Sequence, residues 1–373
     1  MKVLWLTFIP SPYRLRFFEE LGKKCELTVL FERENSKNRK SHWNNFDFIG
    51  YKGIILKGIT IGGFDKFCPN VQAFLNSSYD VIVISNPTSP TGIFAAAILQ
   101  GKRIPYIVES DGAFPTNKKG IKLAIKRFVM SHANLCLSTA KLHDEYYIEC
   151  GVKREKIRRY PFTSIGDEDI ENAKKITEKD KAYYKNRIGI TEKSMILSVG
   201  RFSYDKGYGK GFDILIQIAD QIRHQDVGIY IVGDEPTEEF KKIKEVNKLD
   251  KIHYIGFKDK IELAEYYAAA DIFILLTRGD VWGLVINEAM MFGLPIISSD
   301  KCIAGLEMIN DAENGFIVSL NNNAEIIEKI NELLFNQDIY DRIAKNNIRK
   351  AAEYTFERMV EIHINLLGEM VKS

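Results

Sequence analysis

The chain has 373 residues, 45% of them hydrophobic and 27% charged. Fractions of that kind belong to globular chains and exclude disorder, collagen or coiled coil as descriptions of the whole molecule; the length suits about two domains. The formal net charge of +2 hides an asymmetry, because residues 1–165 hold 25 Lys/Arg against 14 Asp/Glu and the remainder 27 against 36. Opposite signs in the two halves predict two domains, the first facing something anionic, either a membrane surface or nucleic acid.

The opening residues, Met1 to Arg14, have too short an apolar stretch for a signal peptide and no small-residue cleavage site; they read as a first strand. No apolar run reaches the ~18 residues of a membrane span. Five scattered cysteines with no C-x-x-C pair argue against a disulfide framework and a zinc site, and for a reducing cytosol.

In chain order, strands are expected at Val3–Leu6, Leu27–Phe31, Val81–Ile84, Tyr106–Val108 and Leu135–Ser138. Helical patterns fall at Tyr13–Leu21, from about Gly92 and from about Lys141. Buried Val/Ile/Leu runs separated by helices mark a parallel sheet covered on both faces, an α/β architecture. The pattern restarts at Met195, with strands at Met195–Val199, Ile229–Val232, His253–Ile255, Ile272–Leu276, Pro295–Ser298 and Gly315–Val318. Helices are expected at Gly211–His224, Ile261–Ala270, Val285–Phe292 and Asn323–Phe335. The reading is two doubly wound units, 1–165 and 166–353, joined by the polar segment Gly166–Arg187. A terminal helix, Tyr354–Met370, is expected to pack back across the junction.

Three segments carry candidate chemistry. In Thr277–Ile297, Asp280 on a loop and Glu288 early in a helix could both face one ligand at the sheet's carboxyl edge. Gly283, Leu284 and Val285 open that helix, where free N–H groups and the dipole favour phosphate. Taken alone, Asp280 could equally be a helix cap. In Ser198–Gly207, a strand ends at Val199, the chain turns at Gly200, and Arg201 and Lys206 supply cations suited to a diphosphate. Gly207–Gly211 lacks the P-loop spacing. The third comprises Gly233 and Asp234 after one strand and Gly256 and Phe257 after the next. These two loops could frame a nucleotide base or simply be strand-ending turns.

The order Gly-Arg…Lys-Gly, Val-Gly-Asp, Ile-Gly-Phe, then Asp-x7-Glu with Glu-Ala-Met and Gly-Leu-Pro, resembles retaining glycosyltransferases of family 4. The resemblance is specific over about Met195–Leu334, with Asp280 standing where the family usually has Glu. It implies the GT-B fold, two Rossmann-like domains facing across a cleft. It also implies sugar transfer from a nucleotide diphosphate, linked to UDP or GDP, to a glycan hydroxyl. Arg201 and Lys206 would neutralise the leaving diphosphate, helped by the backbone at Gly283, Leu284 and Val285. Asp280 would hold the donor sugar and Glu288 the ribose. Such enzymes need neither metal nor other cofactor. Where many relatives carry a His, this chain has Glu109, Ser110 and Asp111, with Asp111 the first choice for the sugar contact. Asp167-Glu168-Asp169 imitates a metal-binding D-x-D but reads as solvated linker charge.

On the acceptor side, Pro10 and Pro12 stiffen the turn after the first strand. That turn either presents Tyr13 and Arg14 or simply starts a helix, and Ser110 is a further contact. In Asn117–Met130, Lys118, Lys119, Lys122 and Lys126 share one helical side with Arg127 nearby, opposite Ile121, Ala124, Ile125, Phe128 and Val129. The expectation is a helix whose apolar face packs on the sheet and whose basic rim faces anionic lipid. Nucleic acid is disfavoured because no recognition fold accompanies the patch, and the six histidines show no metal-ligand spacing. The function expected is hexosyl or N-acetylhexosaminyl transfer to a lipid-linked glycan at the inner face of the cell membrane, in capsule or lipopolysaccharide synthesis. The alternative is an epimerase of the same architecture or an inactive binder.

Overall fold

The computed structural model describes residues 1–34, 47–61, 65–116, 119–223, 226–247 and 249–372. The chain divides into two units, residues 1–163 with 356–373, and 164–355.

In the first unit the elements run β1 (Lys2–Thr7), α1 (Pro12–Gly22), β2 (Glu26–Phe31), β3 (Lys52–Ile55), β4 (Ile59–Ile61), β5 (Asp65–Phe67), β6 (Val81–Ile84), α2 (Pro90–Gly101), β7 (Ile107–Glu109), α3 (Ile121–Met130), β8 (Leu135–Ser138), α4 (Lys141–Glu149) and β9 (Ile157–Arg159). Seven strands form a parallel sheet in the order β3-β2-β1-β6-β7-β8-β9, while β4 and β5 make a small antiparallel hairpin. The central strands are buried without alternation, as Val3, Leu4, Trp5 and Leu6 on β1 show. That pattern follows from helices covering both faces. The C-terminal helix Phe356–Lys372 packs on α1, where His363 lies 4.9 Å from the Phe17 ring.

The second unit runs α5 (Asp167–Thr177), α6 (Lys181–Arg187), β10 (Ser194–Val199), α7 (Phe212–Ile218), β11 (Val227–Val232), α8 (Glu238–Val246), β12 (Ile252–Ile255), α9 (Lys260–Ala269), β13 (Ile272–Leu275), α10 (Leu284–Met291), β14 (Ile296–Ser299), α11 (Ile303–Met308), β15 (Gly315–Val318), α12 (Asn323–Phe335) and α13 (Gln337–Ala351). Its parallel sheet has the order β12-β11-β10-β13-β14-β15. The order reverses beside β10, and at such a switch point an open α/β sheet leaves a crevice beyond its strand ends.

Several expectations are corrected. The polar joining segment Gly166–Arg187 forms the helices α5 and α6, and its acidic triplet is not all solvated linker charge. Its acidic triplet starts α5, and Asp169 is buried, with its carboxylate accepting from the Gly166 N–H and pairing with Lys260 at 2.6 Å. Helix α7 is shorter than expected: it ends at Ile218 and tightens into a 3-10 turn at Ala219–Gln221, and His224 lies outside the described residues. In α3 the apolar face is not covered. Only Val129 and Met130 are buried, and Ile121, Ile125 and Phe128 are exposed. Asn117 and Lys118 lie outside the described residues, as does His42. All five cysteines are free thiols.

Candidate functional site

The carboxyl edge of the second sheet gathers most of the residues singled out in the sequence. Strand β10 ends at Val199 and passes into Gly200 and Arg201, the latter exposed. Beside it, β11 ends at Val232 and Gly233 follows, so close that a Cβ on Gly233 would meet the Gly200 carbonyl oxygen. The Asp234 carboxylate accepts from the Phe202 N–H and from the Ser203 N–H at 3.2 Å. It thus holds the β10 loop in place rather than standing free towards a ligand. After β12, a Cβ on Gly256 would meet the Glu235 carboxylate at 3.9 Å, an ordinary contact, and Phe257 is exposed.

The β10 loop continues as a 3-10 segment, Tyr204–Lys210, in which Asp205, Lys206 and Gly207 take positive φ. Lys206 is exposed. The cation that meets Asp280 is Lys210, four residues further on: its Nζ lies 2.5 Å from Asp280 Oδ2, with the two side chains only 16% and 19% exposed. The geometry that places it starts at Gly211. This residue adopts φ 72°, and a Cβ there would sit 1.9 Å from the Leu276 carbonyl oxygen. Only glycine fits at that point, and the chain there lies against Leu276, just beyond β13, while the Lys210 stem lies beside Gly200.

The β13 loop is fixed from several sides. Arg278 forms a two-pronged pair with Asp213, at 2.7 Å for each contact. The Asp280 N–H donates to the Lys301 carbonyl, the Cys302 thiol donates to the Trp282 carbonyl at 3.0 Å, and the Trp282 indole donates to Asn287 at 2.9 Å. Burial and the nearby Asp280 charge push the Cys302 thiol up to about 12, so it stays protonated. Gly283, at φ 102°, is the residue before α10, and no side chain caps that helix. Helix starts of this kind offer N–H groups and a positive dipole end, here at Leu284 and Val285. Glu288 lies one turn in. Its carboxylate accepts from Ser164 at 3.1 Å and from Tyr267 at 2.9 Å, and burial raises its pKa.

The carboxyl edge of the first sheet holds a different kind of cluster. Tyr13 and Arg14 lie inside α1, with Pro12 in its first turn, so the proline starts a helix instead of presenting a loop. Arg14 is 4% exposed. It donates to both oxygens of the fully buried Glu109, at 3.0 and 3.2 Å, and to Asp111. Glu109 also accepts from Ser85 at 2.5 Å and from Tyr160 at 2.8 Å. Burial opposes its ionisation, but Arg14 and the bonded donors outweigh that and hold it far below the usual carboxylate range. Asp111 accepts from Tyr13 at 2.7 Å. Ser110 lies 2.9 Å from His143 Nε2. Because the Thr139 N–H donates to His143 Nδ1, the ring proton sits on Nε2 and points at Ser110. Burial pushes His143 down to about 3, so it is neutral. Among the described residues, no group of three or more His, Cys, Asp or Glu side chains is placed to hold a metal ion.

The residue that sequence reasoning missed is Lys210. Its signal was its position: Lys210-Gly211 directly precedes the apolar helix Phe212–Ile218, whereas Lys206-Gly207 does not.

Two parallel-sheet units of this topology have the GT-B fold, and solved structures share it along the whole chain. The Anabaena HepE structure in complex with UDP and glucose superposes with a TM-score of 0.71 over 99% of this chain and 100% of that one, at 17% identity. Residues 180–350 match the model of the family of glycosyl transferases group 1. A 41.2 kDa protein of the cps region of Klebsiella pneumoniae is 29% identical over 57% of this chain, which spans only 55% of that relative's length. The N,N'-diacetylbacillosaminyl-diphospho-undecaprenol alpha-1,3-N-acetylgalactosaminyltransferase of Campylobacter jejuni subsp. jejuni is 24% identical over 76% of this chain and 74% of its own.

Proposed function

We propose that this protein transfers a sugar from a nucleotide-diphosphate donor to a hydroxyl of a lipid-linked glycan, with retention at the anomeric carbon, in the synthesis of a surface polysaccharide. The observation that carries the reading is the Lys210–Asp280 pair beside the uncapped start of α10, at the carboxyl edge of a parallel sheet. A cation and free N–H groups suit a diphosphate, and a carboxylate suits sugar hydroxyls. The Klebsiella relative from a cps region and the Campylobacter transferase, which is named for an undecaprenol diphosphate, support the acceptor class.

In this mechanism the bond between the anomeric carbon and the phosphate oxygen breaks as the acceptor oxygen bonds to the same face of that carbon. The acceptor proton passes to the departing phosphate. Lys210, with Arg201 and Lys206 as the outer cations, stabilises the charge that develops there, a contribution of roughly 10²–10³ in rate for a well-placed donor. The backbone at Leu284 and Val285 adds to it, and Glu288 binds the ribose. Asp280 exchanges its bond to Lys210 for hydroxyls of the hexosyl or N-acetylhexosaminyl group. No metal or other cofactor enters the scheme, and the acceptor is met at the inner face of the membrane.

The test is incubation with UDP- and GDP-sugars, with and without a lipid-diphosphate glycan, read by the anomeric signals of the product. Acceptor-dependent release of nucleotide with an unchanged anomer is expected. Interconversion of the sugar nucleotide with no acceptor present would instead identify an epimerase.

A further inference from the structure

Helix α3 is bound to the first unit along one side only. Gln100 on α2 donates to the Phe128 carbonyl at 3.0 Å, the Tyr106 hydroxyl donates to the Val129 carbonyl at 2.6 Å, and Val129 and Met130 are buried. The opposite side carries Ile121, Ile125 and Phe128, spaced four and three residues apart and therefore on one face. They are 82%, 38% and 40% exposed, and Ala124 between them is exposed as well. An ordinary surface helix turns polar residues outward; this one turns out isoleucines and a phenylalanine.

The charges around the stripe have one sign. No acid occurs between Asp111 and Asp144. Lys119 and Lys122 are exposed and form no ion pair among the described residues. Lys126 lies 4.8 Å from the Tyr146 ring centre, and Arg127 donates to the Glu149 carbonyl, so both stand to the side of the stripe. Glu149 on α4 is engaged by the Thr116 N–H at 2.8 Å. Among the described residues, no helix is long and apolar enough to cross a membrane.

We propose that α3 is a membrane-docking helix, lying in the plane of an anionic bilayer with Ile121, Ile125 and Phe128 in the acyl boundary and Lys119 and Lys122 among the lipid phosphates. An apolar stripe flanked by cations fits that interface on both counts, because apolar area and headgroup charge act together. A protein partner would have to offer a groove both apolar and acidic, and nothing in the structure calls for one. The proposal deepens the reading above: a transferase acting on a lipid-linked glycan gains by residing where its acceptor is anchored.

The experiment is flotation of the full chain with vesicles of phosphatidylcholine alone and of phosphatidylcholine with phosphatidylglycerol. Wild type is expected to bind the anionic vesicles and to release them as salt rises. The variant K119Q/K122Q is expected to bind roughly 30-fold more weakly, at about fivefold per cation. I121S/I125S removes only exposed side chains, so it is expected to keep the wild-type Tm, to bind at least ~10-fold more weakly, and to retain the salt dependence. Equal binding to both vesicle types, no binding, or wild-type binding by both variants would overturn the proposal. So would a dimer in solution that I121S/I125S converts to monomer without any vesicle binding. Transfer to a short soluble acceptor, run in parallel, separates the two claims: vesicle binding without transfer would leave α3 as a docking helix and remove the transferase.

Discussion

Lys210 and Asp280 are 70 residues apart in the chain, and their charged atoms lie 2.5 Å apart at the end of β13. The pair is compact and mostly shielded, while Lys206 in the same loop is exposed. On the proposed reading, a diphosphate oxygen of the donor takes over the bond that Lys210 makes to Asp280.

This relationship ranks the loop's cations. Lys210→Ala is expected to lower kcat/KM for sugar transfer by about 10²–10³-fold, the range for loss of one charge-stabilising donor. Lys206→Ala is expected to lose markedly less, because an exposed charge is screened. Steady-state kinetics on the two variants decide the ranking; equal losses would return Lys206 to the centre.

The turn that delivers Lys210 tolerates no side chain. Gly211→Ala combines a left-handed backbone with a Cβ on the Leu276 carbonyl. It is expected to cost roughly 1–3 kcal/mol or more, read as a lowered Tm. An unchanged Tm would show that this loop adopts a different path.

In the first unit, Arg14 is the counter-charge of a carboxylate with no access to water. Arg14→Met is expected to cost about 3–5 kcal/mol, because Glu109 is left charged and buried. The double variant R14M/E109Q is expected to recover part of that loss. A single variant as stable as wild type in denaturant melts would mean that Glu109 finds another partner.

His143 makes stability depend on pH with a definite sign. Its pKa is pushed down to about 3 in the folded chain, against an ordinary value of about 6.5. Between those values the unfolded state binds the extra proton. Stability therefore rises with pH through that window, by up to about 1.4 kcal/mol per pH unit, and is lost as pH falls. His143→Asn is expected to flatten the slope of unfolding free energy between pH 6.5 and pH 4. An undiminished slope would place the titration elsewhere.

How far the sequence carried these conclusions differs by element. The parallel strands were readable to within a residue or two, because runs such as Ile272–Leu275 and Val81–Ile84 have no other place than a doubly covered sheet. The short β3, the β4–β5 hairpin, β9 and α13 were not read, since brief or strongly polar segments give weak periodicity. The placement of Asp280 on a loop, Gly283 just before a helix and Glu288 inside that helix was legible because a buried strand followed by a glycine and an apolar helical run has few other readings. Lys210 was not, because two Lys-Gly pairs four residues apart look alike until the fold shows which one abuts β13. Arg14 escaped as a structural residue because its partners lie 95 and 97 residues away. The outward face of α3 escaped because amphipathicity says that two faces differ, not which one is covered.

On the proposed reading, the second unit grips a nucleotide diphosphate between Lys210 and the start of α10, with Glu288 on the ribose. Titration calorimetry of UDP and GDP against wild type, Lys210→Ala and Glu288→Gln tests it most directly. The account predicts that one of the two nucleotides binds wild type, and that each variant weakens that binding by at least ~10-fold while remaining folded. Binding that both variants leave unchanged would contradict it.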